Sequence, residues 1–123
     1  MTAASSDLVC DQGSTFDVTF IWQDANNAAH ETSAYNGRMD VRFAQTKEAD
    51  LVIQLTQANG RVVRVAPTSS GKFQLLISAA DTAALTAGVY YYDFEIFSVD
   101  GRDPVFVKRL VQGKFTVRPE VTG

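Results

Sequence analysis

The chain has 123 residues, a length that fits one domain. Lys and Arg total 11 against 14 Asp and Glu, for a net charge of −3, so it lacks the basic excess with which nucleic-acid binders neutralise phosphates. One Cys excludes an intrachain disulfide, and one His excludes a multi-histidine metal site within a single chain. No cofactor is expected.

Residues 1–11 are small and polar and are expected to form a flexible arm. They hold no basic region followed by an apolar run, so they do not read as a secretory signal. No window of the chain approaches the about 18–20 apolar residues of a membrane span, so no membrane partner is expected. Cys10 lies in this arm; nothing near it would lower its pKa, so it is a contact residue at most.

From Thr15 the pattern alternates, with Phe16, Val18, Phe20 and Trp22 on one face and Thr15, Asp17 and Thr19 on the other. Period two predicts a half-buried strand. Gln23 to Asn36 is rich in Asp, Asn and Ser and reads as a long polar loop, of the kind that contacts partners. Gly37 to Ala44 alternates again, with Met39, Val41 and Phe43 opposite Arg38, Asp40 and Arg42. Leu51, Ile53 and Leu55 mark a third strand. Asn59-Gly60 then predicts a tight hairpin turn, with Arg61 to Ala66 returning as the partner strand.

Phe73, Leu75 and Ile77 mark a fifth strand, and Ser78 can cap a short helix that ends before Gly88. Val89 to Ser98 is the longest strand, and Asp100-Gly101 turns the chain into Val105–Val111 and Phe115–Arg118. Gly113 between these two runs predicts a bulge or bend. Leu85-Thr-Ala-Gly-Val-Tyr90 resembles the corner entering a late strand of immunoglobulin and fibronectin-type domains, where a Tyr hydroxyl reaches back to the backbone. The expected fold is all-β: an immunoglobulin-like antiparallel β-sandwich of seven or eight strands with one short corner helix. Its domain spans 12–118, with a tail at 119–123.

Chemistry-bearing residues are sparse. His30, beside Glu31, lies in the polar loop and reads as solvated rather than catalytic. Asp93 and Glu95 share one strand face, a spacing that paired-carboxylate catalysis could use but that a solvated face explains as well. Asp100, Gly101 and Asp103 lack the remaining ligands of a calcium loop. Tyr90, Tyr91 and Tyr92 are consecutive, so they cannot all point inward. An exposed Tyr suits a protein interface or a sugar-stacking surface. Tyr91 and Trp22 are the residues a carbohydrate-binding module would use.

The order of these signals resembles small tailed-bacteriophage virion proteins, including the N-terminal module of baseplate upper proteins. Gln12-Gly-Ser-Thr-Phe16 is similar to their "QGATF" opening, and Tyr35-Asn-Gly-Arg-Met39 with Arg42 to "TGYTARMQVR". Gly88-Val-Tyr-Tyr-Tyr-Asp93 with Glu95 resembles "GxYxYDLE", and Pro119-Glu-Val-Thr122 a terminal "PEVT". The resemblance implies a non-enzymatic structural subunit, made in the host cytoplasm and built into the virion in several copies. The chain lacks the long extension of the baseplate relatives, which favours head decoration, neck adaptor or tail and fibre anchor. Its implied partners are capsid, portal or adaptor, tail and fibre proteins and further copies of itself. Expected contacts are Cys10, His30, Tyr35 and Tyr91.

Overall fold

The computed structural model describes residues 4–121. Strands take 51% of the chain and helix 7%, so the all-β class holds. In chain order the strands are β1 (Ala4–Ser5), β2 (Leu8–Asp11), β3 (Phe16–Ile21), β4 (Tyr35–Arg42), β5 (Leu51–Thr56), β6 (Val62–Arg64) and β7 (Lys72–Ile77). Then follow helix α1 (Ala79–Ala83), β8 (Gly88–Ser98) and β9 (Val107–Arg118). One sheet runs β9-β8-β4-β5, with β1 and β2 both on the free side of β9; the other runs β3-β7-β6.

The two sheets share one core because the period-two pattern points their apolar sets at each other. Tyr90, Tyr92, Phe94 and Ile96 of β8 are buried, as are Phe73, Leu75 and Ile77 of β7. Rings interlock between the sheets: Phe94 lies 5.4 Å from Phe20 and 5.6 Å from Phe73, and Phe16 lies 5.4 Å from Phe115. The corner helix forms as its sequence predicts, with the Ser78 hydroxyl accepting the Asp81 N–H. The hydroxyl of buried Thr82 donates to the Ser14 carbonyl at 2.8 Å and accepts from Gly13 N–H at 3.1 Å, fastening the helix to the start of β3.

Three expectations are corrected. The 1–11 segment is not a free arm over its described part, because β1 and β2 pair in parallel with β9. Leu8 and Cys10 are buried while Val9 and Asp11 face out. That alternation is too short to stand out among polar neighbours. Residues 1–3 and 122–123, at the ends of the expected arm and tail, lie outside the described residues.

Gly113 does not interrupt its strand, since β9 is continuous through it; the irregularity in the β8–β9 ladder lies instead at Phe94/Glu95. A Cβ on Gly113 would stand 2.2 Å from the Ser6 carbonyl oxygen. The glycine is needed because the N-terminal chain crosses there between β1 and β2. Ser6 N–H donates to the Gln112 carbonyl at 2.9 Å, Lys114 N–H to the Asp7 carboxylate at 3.0 Å, and the Tyr92 hydroxyl to the Ser6 carbonyl.

The Asn59-Gly60 turn does not join paired strands. β6 leaves β5 and pairs with β7 in the other sheet. A two-residue type I′ turn needs positive φ at both central residues, and only Gly60 has it, at 78°. The turn instead folds over the β5 edge. The Gln54 carbonyl accepts from Asn59 Nδ2 at 2.9 Å and from Arg61 at 3.0 Å, and Thr56 N–H donates to Asn59 Oδ1 at 3.0 Å. These are backbone groups an added strand would otherwise capture.

Two variants test these devices. Gly113→Ala is expected to destabilise by about 1–3 kcal/mol, the range for forced overpacking, and to raise amide exchange selectively across residues 4–11. Unchanged exchange there would remove the crossing from the account. Asn59→Ala is expected to lower stability by about 1–2 kcal/mol and to produce concentration-dependent association in sedimentation velocity.

Candidate interaction surfaces

Two surfaces gather polar and aromatic side chains. The first lies where the 22–34 and 98–107 segments meet. The 22–34 loop is polar, as its composition predicts, yet it is pinned. Trp22 N–H donates to the Gly71 carbonyl, His30 N–H to the Trp22 carbonyl, and Thr32 N–H to the Thr68 carbonyl. Asp24 accepts the N–H groups of Asn26 and Ala28, tightening the tip. His30 stacks on Trp22 at 4.1 Å, Tyr35 meets Trp22 edge-on at 4.9 Å, and Phe106 meets Tyr35 at 6.0 Å.

Arg102 staples this end. It pairs with Asp100 at 2.7 Å, donates to the Tyr35 hydroxyl at 3.1 Å, and lies 5.2 Å from the Tyr35 ring centre. Its hydrogen bonds hold the Asp100 carboxyl down at about 2. Around the staple Val99, Val105, Phe106 and Val107 are exposed by 39–56%. They share one hairpin end, where Ser98 N–H bonds the Phe106 carbonyl and Val107 pairs with Phe97; Phe106 turns toward Tyr35 and Val107 toward the outer face.

The second surface is the outer face of the larger sheet. Its side chains form cross-strand rows over β4, β8 and β9: Arg42–Tyr91–Lys114, then Asp40–Asp93–Gln112, with Arg38–Glu95–Arg109 beyond. The rows alternate in charge sign. Asp40 directly opposite Asp93 is a repulsive pairing, and each is matched by an arginine from a neighbouring row, Arg42 to Asp40 at 2.9 Å and Arg109 to Asp93 at 3.1 Å. Arg38 pairs with Glu95 at 3.1 Å and lies over the Phe97 ring at 4.7 Å. Asp93 is nonetheless raised above the ordinary aspartate range, chiefly by burial and then by Glu95, against the pull of Arg109. A depression of about 580 Å³ opens over Tyr91 and Asp93, walled by the 44–47 loop and by Ser5 and Asp7.

The four expected contact residues fall in three places. His30 and Tyr35 come together through Trp22 at the loop end. Tyr91 is half-buried on the outer face, while its neighbours Tyr90 and Tyr92 point into the core. Cys10 is corrected: it is 1% exposed, and burial, with Asp11 second, pushes its thiol up to about 11. It packs in the core and offers no contact to a neighbour. Asp93 and Glu95 are ion-paired rather than simply solvated. Sequence reasoning missed Arg102 and Phe106, whose partner Tyr35 lies far away in the chain. The Asp100-Gly101-Arg102 turn carried the only local sign.

Among the described residues no group of three His, Cys, Asp or Glu is placed to hold a metal ion, and no helix is long and apolar enough to cross a membrane.

The raised Asp93 gives a signed prediction. A carboxyl whose folded pKa lies above its unfolded one weakens the fold once ionised; the penalty is absent below the unfolded pKa and complete above the folded one. Asp93→Asn is therefore expected to melt higher than the parent at neutral pH. The gap should close as pH falls through the carboxyl range, read by thermal melts across pH. A gap that widens in acid would refute the assignment.

Comparison with known protein families and with curated proteins finds no match to this chain, so what the two surfaces bind is inferred from their own chemistry.

Proposed function

We propose that the protein is a non-enzymatic structural subunit of a tailed-bacteriophage virion, built on an immunoglobulin-like sandwich and acting through contacts with other virion proteins. The observation that carries this reading is the exposed apolar rim of Val99, Val105, Phe106 and Val107. Single exposed valines need no explanation. Three of them together with an aromatic ring on one hairpin end, whose turn Arg102 holds fixed, mark an edge at which a partner protein can bind.

Further support comes from the ordered resemblance between Gln12 and Thr122. The Tyr90 hydroxyl donates to the Thr86 carbonyl at 2.7 Å, the bond expected of a tyrosine corner, and this supports the immunoglobulin-like reading. Asp93 and Glu95 are held in ion pairs and do not stand as a free acid and base, which supports the non-enzymatic reading. A sugar platform on Trp22 is disfavoured, because Trp22 is 5% exposed beneath His30 and Tyr35.

The test is incorporation into particles. Electron microscopy of purified virions should place a body of this size in repeated positions. Val105→Asp, with an unchanged circular-dichroism spectrum, should lower the copies per particle by about tenfold or more. Particles that lack the wild-type chain, or that carry the variant at full complement, would overturn the reading.

A further inference from the structure

We propose that the depression over Tyr91 is a binding site for a neutral saccharide of one or two pyranose rings, separate from the apolar rim. Tyr91 to Ser98 is seven residues along β8, roughly 23 Å at about 3.3 Å per residue, so the ring at the centre of the depression stands well away from the Val105 end of the rim, although Arg109 at the edge of the depression is two residues from Val107.

Charge comes first. The lining holds four carboxylates, the floor residues Asp40, Asp93 and Glu95 with Asp7 on the wall. It holds four cations, Arg42 and Arg109 with Lys47 and Lys114. The net charge is zero, so neither an anionic nor a cationic ligand gains from the field as a whole. What the site offers is a dense set of acceptors and donors side by side, with the Gln112 amide supplying both. A sugar hydroxyl also donates and accepts. The ion pairs use only part of each group's capacity, since a carboxylate has about four lone-pair directions and a guanidinium five N–H bonds.

Shape comes second. The volume of about 580 Å³ lies within the roughly 300–1,000 Å³ of small-ligand sites. Tyr91 sits between Arg42 and Lys114 in its row, putting an aromatic ring beside these polar groups. A pyranose presents C–H bonds on one face and hydroxyls at its edge, which matches a ring flanked by polar groups. A protein partner would instead need a larger apolar centre.

The walls depend on features already described. Ser5 and Asp7 stand over β9 because the chain crosses Gly113 there. The opposite wall, 44–47, is the turn between β4 and β5. Arg42 donates to the Ala49 carbonyl at 2.8 Å, tying that turn to the floor.

The experiment is an amide NMR titration of the full chain with three neutral disaccharides, cellobiose, maltose and diacetylchitobiose, and with anionic sialyllactose. Binding of at least one neutral disaccharide is expected at millimolar strength, with shifts centred on Tyr91, Asp93, Gln112 and Lys114 and unchanged by added salt. Tyr91→Phe should keep affinity within about twofold, and Tyr91→Ala should weaken it about tenfold, the scale of one lost ring contact. Should Tyr91→Ala fail to fold, Gln112→Ala on the exposed strand position is to lower affinity instead. Val105→Asp should bind sugar as the parent does, which separates this site from the apolar rim. Absence of shifts with all three neutral sugars, shifts centred elsewhere, or response only to sialyllactose that vanishes in salt would each overturn the proposal.

Discussion

The alternation along β8 is the constraint on which the rest of the molecule depends. This strand has a neighbour on each side, so its register fixes two surfaces at once. Tyr90, Tyr92, Phe94 and Ile96 fill the core from one side, while Tyr91, Asp93 and Glu95 build the outer face from the other. A slip by one residue would send Tyr91 and the carboxylates of Asp93 and Glu95 into the core, and Tyr90, Tyr92, Phe94 and Ile96 to solvent. Burial of Phe94 against Phe20 and Phe73 makes such a slip costly. The charge rows of the outer face inherit their order from a packing decision made beneath them.

Those rows show how a sheet tolerates like charges placed directly opposite one another. Asp40 and Asp93 face each other across strands, a pairing that isolated sheets disfavour. The structure offsets it diagonally, with arginines from the rows above and below. Half-exposed ion pairs of this kind stabilise little, about 0–1 kcal/mol each. Their effect is on what the face can receive. It carries many charges and almost no net field, which suits specific hydrogen bonding better than long-range attraction.

How much of this was legible in the sequence depended on whether the cause was local. β3, β4 and β8 could be read directly, because each repeats its apolar residues at period two over six or more positions. The Ser78 cap and the Tyr90 corner were readable for the same reason, each bond closing within four residues. Asn59-Gly60 was visible as a turn, but the partner of β6 was not, since nothing nearby tells whether a strand returns to its own sheet or crosses to the other. Gly113 was visible as unusual, yet its cause, Ser6, lies more than a hundred positions away. The apolar rim was hidden similarly: Arg102 meets Tyr35 only after the two segments pack. Cys10 was misread because two inward residues in a four-residue strand are too few to register as a pattern.

The parallel attachment of β2 to β9 has a mechanical consequence. Leu8–Asp11 runs alongside Phe115–Arg118 in the same direction, bonded residue for residue. Tension drawn on β2 from its beginning and on β9 from its end would pull the two strands past each other along their common axis. The bonds between them, with the Asp11–Arg118 ion pair at their far end, would then bear the load together in shear instead of opening one by one.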